Sequence, residues 1–176
     1  MLRYALIYGL LSGFVVAATI TAGLLLTSSD GFGHSMWFGY LVMLVALTFI
    51  FVGVKRYRDA ERGGVIKFLP AFGAGLAIAV VAGVAYVVTW ECYLAATNYR
   101  FMEEFAASYA RSQAAAGVPA DSIAADLQWM REIYASPIQR TAMTFMEIFP
   151  VGFLVSLVSA ALLRNPKLLP AVARAA

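Results

Sequence analysis

Arg140-Thr-Ala-Met-Thr-Phe-Met-Glu-Ile-Phe-Pro-Val-Gly-Phe-Leu-Val-Ser-Leu-Val-Ser-Ala-Ala-Leu-Leu163 decides the fold class. At ~1.5 Å per helical residue it is long enough to cross roughly 30 Å of hydrocarbon. Yet it carries a carboxylate, Glu147, and three residues later Pro150. Lipid solvates neither an acid nor the carbonyl that a mid-helix proline leaves without a donor, so other parts of the protein must supply partners.

Three further runs are long and apolar enough to span, at about residues 4–26, 36–54 and 68–90. The chain has 176 residues, of which 62% are hydrophobic and 13% charged. A soluble domain of that size cannot hide so much apolar side chain. The expected architecture is therefore all-α: a polytopic membrane protein, one domain over residues 1–176 with four transmembrane helices. The first run, behind a lone Arg3, exceeds the length of a secretory signal's apolar region and reads as a retained span.

The basic residues give the orientation. Residues 55–67 hold five Lys/Arg, and Arg3, Arg164, Lys167 and Arg174 flank the first and last spans, while residues 27–35 hold none. Short basic loops stay on the cytoplasmic side, which places both termini inside. The net charge of +3 sits at span ends and not along a stripe, so no nucleic-acid partner is expected. The one cysteine, Cys92, excludes an internal disulfide and a thiolate metal site.

Residues 97–136 form the only sizeable part outside the bilayer. Phe101, Phe105 and Tyr109 recur at helical spacing, and Ile123, Leu127, Met130 and Tyr134 do so again. Gly117 and Pro119 between them mark a helix end and a helix start. This predicts an extracytoplasmic helical hairpin between the third and fourth spans. Its stripes bury either against the protein itself or at the outer boundary, where Trp129 would sit well.

Inside lipid, spans associate through close backbone approach and polar contacts. Gly9, Gly13, Ala17 and Thr21 line one face of the first span, and Ala71, Gly75, Ala79 and Gly83 one face of the third. The expectation is that these faces meet each other or a symmetry mate.

Counting from the cytoplasmic charges, Glu91 and Arg140 both stand about 36 Å along their helices, which predicts an ion pair. Glu147 is deeper, about 25 Å from Arg164. Thr144, Thr141, Tyr40, Tyr86 and Tyr8 are the candidate hydroxyl partners for it. Glu147, with Thr144 and the Pro150 kink, reads either as a structural pin between helices or as a proton, cation or ligand site in a pocket open outward. His34 lies in a loop whose spacing supports neither a catalytic set nor a metal site. The Tyr57-Arg58-Asp59 run could meet anionic headgroups. No metal or cofactor is implied. Nor is an enzyme expected, because Glu91 and Glu147 lack a nucleophile, a metal set or a second catalytic carboxylate at a sensible depth.

Gly39-Tyr-Leu-Val-Met-Leu44, Phe51-Val-Gly-Val-Lys-Arg-Tyr-Arg-Asp59, Gly63-Gly-Val-Ile-Lys-Phe68, Trp90-Glu-Cys-Tyr93 and Thr144-Phe-Met-Glu-Ile-Phe-Pro-Val-Gly152 occur in that order. This series resembles the bacterial membrane family catalogued as domain of unknown function 4199, over nearly the whole chain. The resemblance implies a four-span inner-membrane protein and brings no activity, substrate or cofactor. Two functions follow from the residues. One is a non-enzymatic accessory or assembly component, with membrane lipid and either further copies or another membrane protein as partners. The other is a small proton- or ion-coupled carrier using Glu147.

Overall fold

Six helices make up the described part of the chain in the computed structural model, and no strand occurs among the described residues. The backbone is described for residues 1–26 and 36–171, and the side chains for residues 1–19, 42 and 44–171. The helices are α1 (Leu2–Leu26), α2 (Met36–Glu61), α3 (Phe68–Ala96), α4 (Arg100–Ala115), α5 (Ala120–Ala135) and α6 (Pro137–Leu163). Among the described residues three segments are long and apolar enough to cross a membrane: Leu2–Thr19 of α1, Phe68–Ala96 and Pro137–Leu163. The chain divides into two units, Met1–Tyr86 with Phe145–Ala176, and Val87–Thr144.

In the first unit the register of contacts gives the helix directions. Tyr4 packs edge-on against Tyr57, and a Cβ on Gly53 would meet the Tyr8 ring at 2.9 Å, so residue numbers rise on α1 as they fall on α2. These two helices are antiparallel. A Cβ on Gly9 would lie 2.5 Å from the Val81 Cβ, and one on Gly13 would overlap that of Ala85. Here both numbers rise together, so α1 and α3 run parallel. Gly75 opposes Ser156, Ala79 opposes Gly152 and Gly83 opposes Phe145, which makes α3 and α6 antiparallel.

Of the two arrangements expected from the sequence, the first therefore does not occur: the two small-residue faces do not meet each other. The Gly9–Gly13 face of α1 does rest on α3, but on the side carrying Ile78, Val81 and Ala85. The Gly75–Ala79–Gly83 face of α3 is occupied by α6 instead, which brings its own Gly152 and Ser156 to the contact. Small residues line both sides of that seam, so the backbones approach closely, as packing between apolar helices requires. The core of the unit is filled by Leu47, Ile50, Val54, Ile78, Ile148 and Leu163 among others.

Polar punctuation sets the second unit. The turn from α3 to α4 runs through Asn98 and Tyr99, both left-handed, at φ 51° and 57°. Asparagine tolerates that conformation; for tyrosine it costs on the order of 1 kcal/mol. Gly117, at φ 78°, ends α4 with Gly117 N–H donating to Ala114 O and Val118 N–H to Gln113 O. Pro119 then precedes the first residue of α5. At the next junction Ser136 serves both neighbours: its N–H donates to Ile133 O, and its hydroxyl accepts from Gln139 N–H at 3.4 Å. A ladder of rings, Trp90, Tyr93, Phe101, Phe105 and Tyr109, holds the end of α3 to α4. The Tyr109 hydroxyl reaches α5 by donating to Asp126 at 2.8 Å.

Candidate functional site

Three charged clusters are built on these helices. In the second unit Arg140, in the first turn of α6, has a side chain only 7% exposed. Its Nε donates to Glu91 Oε1 at 2.7 Å and its Nη2 to Glu91 Oε2 at 2.6 Å, a two-pronged contact. The remaining Nη1 donates to the carbonyl of Tyr134 at 2.7 Å, in the last turn of α5. The Tyr99 ring lies 5.2 Å from the guanidinium carbon, so the strained left-handed residue at the α3–α4 turn is the one that covers the cation. One arginine thus joins the end of α3, the end of α5 and the start of α6. Its carbonyl accepts the Thr144 hydroxyl at 2.9 Å. Such a cluster fixes geometry; it presents no free nucleophile or base.

In the first unit, Glu147 is an exposed residue of α6. The reason lies in the helix phase. Thr144, Ile148, Gly152, Ser156, Ala160 and Leu163 form the buried stripe of α6, and Glu147 falls about 100° away from Ile148. Its Oε2 accepts a hydrogen bond from the Tyr86 hydroxyl at 3.3 Å. Of the other hydroxyls considered, Thr144 and Thr141 donate back to carbonyls of their own helix, and Tyr8 packs on Gly53. The Tyr40 side chain and His34 lie outside the described residues. Pro150 is exposed, and α6 continues through it as helix.

The third cluster is one that the sequence reading missed. Arg58, near the end of α2, is 0% exposed. Its Nη1 donates to Leu168 O at 3.0 Å and Leu163 O at 3.4 Å, its Nη2 to Leu169 O, and its Nε to Asp59 Oδ1 at 2.8 Å. It caps the last carbonyl of α6, that of Leu163, which has no intrahelical donor, and ties down two carbonyls of the segment beyond it. It also holds the turn in which Leu169 is left-handed at φ 49°. Arg58 and Asp59 are thus engaged within the protein and Tyr57 is buried, which corrects the expectation that this run meets headgroups. A signal was present. Leu47, Ile50 and Val54 mark the buried stripe of α2, and the next position of that stripe is Arg58. Burial acts to raise the Asp59 carboxyl, but hydrogen bonds from Lys55 (2.5 Å) and Arg58 outweigh it and hold the group below the ordinary aspartate value.

A groove of about 570 Å³ in the second unit runs between α4 and α5, floored by Ala106, Ala107 and Ala110 and edged by Glu103 and Arg131. A smaller one, about 220 Å³, opens between α1 and α2 at Arg3 and Arg56.

No curated protein and no solved structure matches the chain. A family model described as "Protein of unknown function (DUF4199)" matches residues 3–165. That match takes in all six helices but for Leu2 at the start of α1, and the chain belongs to the DUF4199 family.

Proposed function

We propose that the chain is a four-span, non-enzymatic subunit of a bacterial inner-membrane complex, one that works by assembling with another membrane protein. The observation that carries this reading is Glu147. A carboxyl group facing hydrocarbon costs several kcal/mol, and one long hydrogen bond from Tyr86 offsets only part of that. A protein surface with donors of its own removes the cost, whereas acyl chains cannot. A carrier built on Glu147 would need it to line an internal path, and its position on the outer surface speaks for the assembly reading. The groove between α4 and α5 supplies a second contact surface on the exposed hairpin.

Four crossings are supported by direction. Because α1 and α3 run parallel, the chain between them must return across the bilayer, and α2, antiparallel to α1, provides 26 residues for the return. The basic segment after Val54 then faces the cytoplasm, with both termini.

A photo-crosslinking residue in place of Met146, which is exposed beside Glu147, tests the reading in native membranes. The expected result is one discrete adduct with a different protein, weakened by Glu147→Leu. Adducts only with lipid or with the same chain would refute it. A homo-oligomer that dissipates a proton gradient in liposomes, and stops doing so as Glu147→Gln, would establish the carrier instead.

A further inference from the structure

We infer that the cavity between α1 and α2 binds a phosphate group, and that its occupant is the headgroup of an anionic glycerophospholipid. This goes beyond the assembly reading and relies only on the chain's crossing a membrane.

Arg3 stands in the first turn of α1 and Arg56 near the end of α2. The antiparallel register that sets Tyr4 against Tyr57 brings both to the same end of the helix pair. Together with Tyr4, Ile7, Tyr8 and Ala60 they line a cavity of about 220 Å³. Both arginines are exposed, and neither guanidinium has a hydrogen-bond or ion-pair partner among the described residues.

No ion pair joins either of them to a nearby acid among the described residues. Asp59 is held by Lys55 and Arg58, and Glu61 accepts from the Tyr4 hydroxyl at 3.2 Å and keeps its charge. Two cations left close together repel each other, and an anion shared between them reverses the sign of that interaction. Arginine's planar fork matches the oxygens of a phosphate two at a time, and Tyr8 is among the residues that line the same cavity.

The apolar surroundings favour a lipid over a free ion. From Ile7 in the cavity wall, exposed Leu11 and Phe14 continue along α1 at helical spacing. On α2, exposed Val52 stands one turn from Arg56 and Val45 two turns further. Acyl chains fit along those side chains while the phosphate sits between the arginines. Inorganic phosphate would use the cations alone. Basic recesses between helices at the cytoplasmic face are suited to such headgroups.

The test uses the full chain in an uncharged detergent, with binding followed by native mass spectrometry and by the shift in melting temperature. The probes are phosphatidylglycerol, phosphatidylcholine and inorganic phosphate. Phosphatidylglycerol is expected to bind saturably and to raise the melting temperature. Arg3→Gln/Arg56→Gln should weaken it at least about tenfold, the loss expected for charge-assisted hydrogen bonds. Lys67→Gln/Arg164→Gln removes the same charge from exposed positions and should stay within about twofold of the parent.

Should the glutamine pair fail to fold, Arg3→Lys/Arg56→Lys keeps both charges, loses the forks, and must still bind more weakly than the parent. Inorganic phosphate binding with the same dependence on the two arginines would support the phosphate site and assign it to the free ion. Equal weakening in the two glutamine pairs, phosphatidylcholine binding as tight as phosphatidylglycerol, or no saturable binding would overturn the inference.

Discussion

The pair formed by Glu91 and Arg140 admits a quantitative test by a double-mutant cycle: Glu91→Gln, Arg140→Met, and both together. Two unit charges about 4 Å apart at an effective dielectric constant of about 20 attract by about 4 kcal/mol. The Glu91 side chain keeps 27% exposure and is partly screened, whereas Arg140 keeps 7%. Discounting for that, the coupling energy should be about 2–3 kcal/mol, in the range of buried and not of exposed pairs. Arg140→Met should cost more than Glu91→Gln, because it also strips the donor from Tyr134 O and the cation from the Tyr99 ring. Unfolding of the purified protein in mixed detergent micelles, followed by helical circular dichroism, gives the four free energies. A coupling below about 0.5 kcal/mol would match an ordinary surface pair and refute the claim that this contact organises its unit.

Other outcomes follow from the same geometry. Gly13→Leu should collapse the α1–α3 contact and lower the melting temperature sharply, since even a Cβ overlaps that of Ala85; unchanged thermal stability would contradict the packing. Arg58→Met should cost about 3–5 kcal/mol, as loss of one member of a buried charge cluster does. Limited proteolysis should then cut the segment after Leu163 sooner than in the parent. For Asp59 the charged form is the one favoured in the folded state. Its stabilisation is therefore complete above the unfolded aspartate value and is lost as pH falls through the lower folded value. Melting temperature measured from neutral pH down to about pH 3 should fall more steeply in the parent than in Asp59→Asn.

Helix boundaries were legible wherever chemistry punctuates them. Ser136-Pro137 and the Asn165-Pro166 stop frame α6, and Gly117-Val118-Pro119 separates α4 from α5. The end of α2 was not legible from hydropathy, which marks where hydrocarbon ends and not where hydrogen bonding does. Seven further residues stay helical past Val54, helped by the Lys55–Asp59 pair one turn apart. The level match of Glu91 and Arg140 could be counted because a helix is a ruler. Periodicity could show that Gly75, Ala79 and Gly83 share a face, but not which neighbour would fill it, since Gly152 and Ser156 of α6 are also small. Glu147 had two readings, a pin between helices or a pocket group. Its hydrogen bond from Tyr86 of α3 is a link between helices, and its exposure could not be read from the sequence, because the hydropathy of α6 does not say which face its neighbours cover.

The buried grip of Arg58 on Leu163, Leu168 and Leu169 has a bearing on biogenesis. Synthesis makes the arginine more than a hundred residues before its acceptors exist. Until they arrive, its guanidinium has to stay hydrated at the membrane border, holding that end of α2 outside the hydrocarbon. Closure of the first unit therefore waits for the stretch after α6, and a nascent chain cut short of Leu168 would keep the Asp59 pair but leave guanidinium N–H groups without their carbonyls, for quality control to recognise.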